Sequence, residues 1–81
     1  MSALYLLDVP ENRPVAEVAA RDRSVSLRHV GPYFELVFDR VLVIDRRATG
    51  ARHAVWYSSI AGTRDAAIRQ WDKDTMRIEA A

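Results

Sequence analysis

The chain has 81 residues, of which 49% are hydrophobic, so it is long enough for one small domain with a modest core and too short for two. It contains no cysteine, which excludes disulfides, thiolate metal sites and thiol nucleophiles, and which predicts a cytoplasmic protein. Twelve basic and eleven acidic residues give a formal net charge of +1. A net charge this small excludes long-range electrostatic attraction of the whole chain to nucleic acid or acidic lipid.

The first third of the chain predicts a strand followed by a short helix. Residues 3–7 form an apolar run that ends at Pro10, a residue that cannot donate to a strand ladder. Asn12 and Pro14 then form a start signal for a helix, and apolar residues follow at helical spacing over residues 14–21. The sequence therefore begins as β-α.

The middle of the chain is predicted to form antiparallel strands joined by turns. Residues 24–28 and 33–38 alternate with a period of two around the turn Gly31-Pro32, which predicts a hairpin. Residues 41–44 are apolar on both faces, as in a central strand. Residues 52–60 are predicted to pair with that strand after a loop that contains Gly50.

The last segment predicts a helix that begins at Thr63, a residue that favours the N-cap. Apolar side chains from Ala67 to Ile78 share one broad helical face, and Trp71 is predicted to dock this helix on the sheet. In the alternative, the helix ends near Asp72 and residues 75–79 form a final edge strand, because apolar and charged residues also alternate there.

These elements predict a single α+β domain over residues 1–81. Its architecture is an antiparallel sheet of four to five strands with helices on one face, in the order β-α-β-β-β-β-α. No apolar stretch approaches the ~20 residues that a membrane helix requires, so no membrane association is predicted. The small core, without cross-links, favours a protein partner or self-association, for example as a homodimer.

Catalytic, metal-binding and cofactor-binding residues are not predicted. Asp45 and His53 would face each other across the predicted hairpin, as in the base half of a hydrolytic triad, but no nucleophile lies in a matching motif. The two histidines lack metal-ligand spacing, and the single Gly62 before Thr63 is ordinary for a helix cap rather than a phosphate loop. We therefore predict that the chain is not an enzyme.

A protein-binding surface is the leading hypothesis, because the predicted sheet carries more aromatic and apolar residues than two short helices can cover. Alternation places one set of side chains on the face turned away from the helices, with the composition of a protein interface. The predicted protein-binding residues are Tyr33, Glu35, His53, Val55 and Tyr57.

A nucleic-acid surface is the alternative hypothesis. Three basic residues recur every four positions along the predicted last helix, and three arginines lie at the predicted hairpin tip. The two clusters together could contact phosphates spaced along a nucleic acid. These residues are Arg69, Lys73 and Arg77 on the helix, and Arg46, Arg47 and Arg52 at the tip.

The sequence thus predicts a small non-catalytic protein-binding module that acts as a regulatory accessory protein or an inhibitor. Lys73 is the only lysine, and this dominance of arginine is typical of a GC-rich genome such as that of a bacterium, its phage or a mobile element.

Overall fold

The computed structural model describes residues 1–81, and it contains seven β-strands and three short α-helices. The predicted α+β class with antiparallel sheets is confirmed, although the strands form two sheets. None of the helices is long and apolar enough to cross a membrane. The elements in chain order are β1 (Ser2–Leu7), α1 (Arg13–Ala19), β2 (Ser26–Val30), β3 (Tyr33–Phe38), β4 (Val41–Asp45), α2 (Arg46–Thr49), α3 (His53–Ser58), β5 (Ile60–Arg64), β6 (Ala66–Trp71) and β7 (Thr75–Ala80).

The first sheet has the strand order β2-β3-β1-β5, and every neighbouring pair is antiparallel. The hairpin β2–β3 turns at Gly31, whose φ of 55° lies in the left-handed region that glycine adopts most easily. Strand β1 is central and pairs with β3 on one side and β5 on the other. The predicted first strand, first helix and hairpin are thereby confirmed.

The second sheet has the order β4-β7-β6, with β7 between its two antiparallel neighbours. Inward side chains of this sheet join those of the first sheet and of α1 in one hydrophobic cluster of 15 buried residues. The cluster comprises Leu4, Leu6, Val15, Ala16, Ala19, Val25, Phe34, Leu36, Phe38, Leu42, Ile44, Ala51, Trp56, Met76 and Ile78.

The predicted last helix, with Trp71 as its anchor, is wrong, because residues 60–80 form strands β5, β6 and β7. A β-bulge at Arg69 explains the error: it shifts the register so that Ile68 pairs with Ile78 while Trp71 pairs with Met76. Two apolar residues three positions apart thus lie in one strand and mimic helical spacing. The alternative is correct that residues 75–79 are a strand, but the strand is central and not at an edge.

The predicted strand over residues 52–60 is also wrong, because this region contains α3 and is preceded by α2. The carboxylate of Asp45 caps α2 by accepting from the backbone N–H of Arg47 at 3.2 Å, and Gly50 ends it with a φ of 70°. Strand β4 consequently pairs with β7 rather than with the segment that follows it. The predicted order after residue 45 is corrected to α-α-β-β-β.

Candidate functional site

One face of the first sheet points away from the hydrophobic core, and we call it the outer face. Because residues paired across antiparallel strands point the same way, the register defines three rows across β2, β3, β1 and β5. The first row is Val30, Tyr33 and Leu7; the second is Arg28, Glu35, Tyr5 and Gly62; the third is Ser26, Val37, Ala3 and Arg64.

Glu35 lies at the centre of the outer face and is bound from both sides. Its side chain is only 4% exposed, and its carboxylate accepts from the Tyr5 hydroxyl at 2.7 Å. The Nε of Arg28 donates to Oε1 at 3.2 Å, and Nη2 of the same guanidinium lies 3.2 Å from that oxygen. The Nη1 of Arg64 lies 3.4 Å from Oε2 and 3.2 Å from the Tyr5 hydroxyl oxygen. The four side chains therefore form one network that crosses all four strands.

This network sets the protonation of its two acidic members. The hydrogen bond from Tyr5 lowers the pKa of Glu35 below its usual value, with help from Arg28 and Arg64 and against the effect of burial. The same hydrogen bond raises the pKa of Tyr5, because loss of its proton would place two negative charges together. Glu35 is thus an ionised carboxylate at neutral pH, held by a neutral phenol.

The first row of the outer face is an exposed apolar patch. Leu7, Val30 and Tyr33 are 44%, 45% and 37% exposed, and the register places Tyr33 between the other two. The rings of Tyr5 and Tyr33 meet edge to face with centroids 6.2 Å apart. The exposed fractions of these three neighbours make the row a contiguous apolar surface on the sheet.

A depression of about 270 Å³ adjoins this patch where β5 meets β1. Gly62 is one of its lining residues, and a Cβ placed at Gly62 would meet no atom within 4 Å. The absence of a side chain at this position leaves room beside the two tyrosines. The lining residues are Tyr5, Tyr33, Ala61, Gly62 and Thr63.

The predicted protein-binding residues divide between two parts of the molecule. Tyr33 and Glu35 lie on the outer face as expected. His53, Val55 and Tyr57 lie on α3, so they do not extend that sheet face. Val55 packs against the hydrophobic core, and the ring of Tyr57 lies 5.9 Å from that of Trp71. The binding role of the five residues stays a prediction.

Sequence reasoning missed the other members of the Glu35 network and the glycine of the depression, which are Tyr5, Arg28, Arg64 and Gly62. The alternation of Tyr5 and Leu7 with the buried Leu4 and Leu6 is a signal in the sequence for an outward-facing tyrosine. The contribution of β5 had no comparable signal, because its pairing with β1 joins residues as far apart in the chain as Ala3 and Arg64.

The predicted basic helical face is not formed, because Arg69 lies on β6, Lys73 in the following turn and Arg77 on β7. The carboxylate of Glu79 lies 3.5 Å from Arg69 and 2.8 Å from Arg77. A negative group of the chain itself therefore pairs with two of the three charges. Nucleic-acid binding stays a prediction without the helix on which it was based.

Two of the three arginines of the predicted hairpin tip make side-chain contacts around α2. Arg46 donates to the backbone carbonyl of Lys73 and, at 3.0 Å, to that of Ala51. Arg47 lies 3.9 Å from the carboxylate of Asp74, while Arg52 is the N-cap residue of α3. Two of these guanidinium groups are thus committed to contacts within the chain.

The proposed pairing of Asp45 with His53 across a hairpin is not formed, since Asp45 caps α2 and His53 begins α3. No group of three or more His, Cys, Asp or Glu side chains lies close enough together to hold a metal ion.

Comparison with known proteins shows a likeness in fold to a solved structure. No family model and no curated protein sequence matches the chain. Among solved structures, a chain in the complex of phenol hydroxylase with a regulatory protein has a TM-score of 0.79 and covers 99% of this chain and 98% of its own length. The two sequences are 14% identical, so the likeness shows that the two chains share a fold over their whole length.

Proposed function

We propose that this protein is a non-catalytic regulatory accessory protein that binds a hydroxylase. The observation that carries the proposal is the likeness, over nearly the full length of both chains, to a chain of the phenol hydroxylase and regulatory protein complex. The extent of the likeness matters, because it covers 99% of this chain and 98% of the other, so the two share the fold as a whole and not only a local motif.

The surface of the protein supports a binding role. The outer face combines an apolar row with a fixed charged network, and this combination of apolar contact area and oriented polar groups is the usual composition of protein interfaces. The groups of the network are also in fixed positions before any partner arrives, which reduces the entropic cost of association.

The proposal predicts that the chain forms a saturable complex with the hydroxylase of its own organism and alters the rate of hydroxylation. The measurement is a titration of labelled protein with purified hydroxylase, followed by steady-state product formation with and without the chain. We expect a dissociation constant in the micromolar range or below, as for other specific accessory complexes, and a rate that changes with the same concentration dependence.

An unrelated small basic protein at the same concentrations serves as the control for nonspecific charge effects. The proposal is contradicted if the chain neither binds the hydroxylase nor changes its rate. Binding without any change in the rate of hydroxylation would contradict the regulatory role and leave only association.

A further inference from the structure

We propose that the outer face is the docking surface of this protein, and that its occupant is a protein surface presenting an apolar side chain next to a carboxylate. The apolar side chain enters the depression beside Gly62, and the carboxylate binds Arg28 and Arg64. This inference rests on the proposed function, since it names the surface and the chemistry through which a regulatory protein would bind.

The depression fits a single inserted side chain. Its volume of about 270 Å³ is bordered by the tyrosine rings of β1 and β3 and by a glycine that contributes no side chain. Insertion of an aliphatic or aromatic group would remove exposed area of Tyr33 from water. Aromatic side chains that line a pocket are typical centres of binding energy in interfaces.

The positive charge of the outer face favours a carboxylate on the partner, next to the inserted apolar side chain. Arg28, Glu35 and Arg64 are the only charged side chains at the outward positions of the four strands, so the face carries a net charge of +1. The Arg28 and Arg64 side chains remain 66% and 45% exposed although both contact Glu35. Their charge is therefore accessible to a partner.

The arginines also retain free hydrogen-bond donors. A guanidinium has five N–H groups, and the contacts with Glu35 and Tyr5 use two nitrogens of Arg28 and one of Arg64. Glu35 holds both guanidinium groups in place while leaving these donors toward solvent. A carboxylate is the acceptor whose geometry matches a guanidinium best, so an acidic side chain of the partner would complete the network.

A second copy of the chain suits this surface less well. A symmetric dimer through the outer face would bring two faces of charge +1 together, with four arginines and only two Glu35 carboxylates between them. Like charges opposed at an interface disfavour association. A heterologous partner with an acidic group next to an apolar one has no such repulsion.

The test compares matched variants for binding to the purified hydroxylase of the same organism. Gly62→Trp fills the depression, and Val43→Trp adds the same bulk to an exposed position of the second sheet. The double variant Arg28→Gln with Arg64→Gln removes two charges around Glu35, and Arg69→Gln with Arg77→Gln removes two charges around Glu79. Circular dichroism and thermal melting establish that each variant is folded.

We expect Gly62→Trp to weaken binding roughly 30-fold or more and the outer-face double variant about 10-fold or more, with both controls within about 3-fold of the parent protein. The first double variant should also reduce the salt dependence of the affinity. Equal affinity for all folded variants would overturn the inference and leave the proposed function intact.

Three other outcomes overturn the inference. Absence of binding by the parent protein would overturn the proposed function and the inference with it. Weakening by the controls alone would assign docking to the second sheet. Concentration-dependent self-association that is abolished by Gly62→Trp would assign the outer face to a second copy of the chain.

Discussion

Trp56→Ala should lower the free energy of unfolding by about 3–5 kcal/mol, the largest effect expected for any single substitution considered in this protein. Trp56 is fully buried in the hydrophobic core, so the truncation leaves a cavity that short helices can close only in part. Its indole N–H also donates to the backbone carbonyl of Asp72 at 2.6 Å, which ties α3 to the turn between β6 and β7. The loss is a large share of the stability of a domain this small.

Chemical denaturation of the parent protein and the variant measures this loss. Trp56→Phe keeps much of the packing but removes the hydrogen bond and part of the buried ring, so it should lower the free energy of unfolding by less than Trp56→Ala does. Tyr57→Ala is the matched control from the next position of α3, since Tyr57 is 47% exposed and should cost much less. A midpoint for Trp56→Ala equal to that of Tyr57→Ala would show that α3 is not anchored through Trp56.

The first half of the fold could be predicted from the sequence because its signals are local. The hairpin β2–β3 combines alternation with a glycine in the left-handed region, and α1 has apolar residues at helical spacing on its buried side. Neither signal depends on residues far along the chain. The strand and helix therefore form where their own sequence favours them.

The second half could not be predicted in the same way because nonlocal pairing decides it. Strand β4 passes the segment that follows it and pairs with β7, so the hairpin assumed from proximity is replaced by two helices. The bulge at Arg69 then gives β6 the apparent period of a helix. Such choices depend on tertiary contacts, which override local propensity.

The candidate site shows the same division. The outward direction of Tyr33 and Glu35 could be predicted from the alternation within β3 alone. Arg64 and Gly62 reach the outer face only through the pairing of β5 with β1. The predicted helical row of Arg69, Lys73 and Arg77 is absent because the segment that was expected to be a helix pairs as strands β6 and β7.

The Glu35 network leads to the second large expected effect, on stability as a function of pH. Glu35→Gln should lower the free energy of unfolding at pH 7 by about 1–2 kcal/mol, because an amide cannot accept charged hydrogen bonds as a carboxylate does. The value lies below that of a fully buried ion pair, since Arg28 and Arg64 are partly exposed and remain solvated after the change.

The pH dependence follows from the lowered pKa of Glu35. A carboxyl group whose pKa is lower in the folded than in the unfolded chain contributes stability above its ordinary value of 4.5, and this contribution is lost as the pH falls through the folded value. The difference between the parent protein and Glu35→Gln should therefore be largest near neutral pH and shrink on acidification below about pH 4.5. Urea unfolding between pH 3 and pH 7 measures it, and changes at other carboxylates cancel in the difference.

Glu79→Gln is the matched control, because Glu79 also contacts two arginines but is 36% exposed where Glu35 is 4% exposed. Water screens the Glu79 pairs, so this variant should lose less stability and show a smaller pH dependence. A constant difference between the parent protein and Glu35→Gln from pH 7 to pH 3 would mean that Glu35 acts by packing alone. Its charge would then not be what holds Arg28 and Arg64 on the outer face.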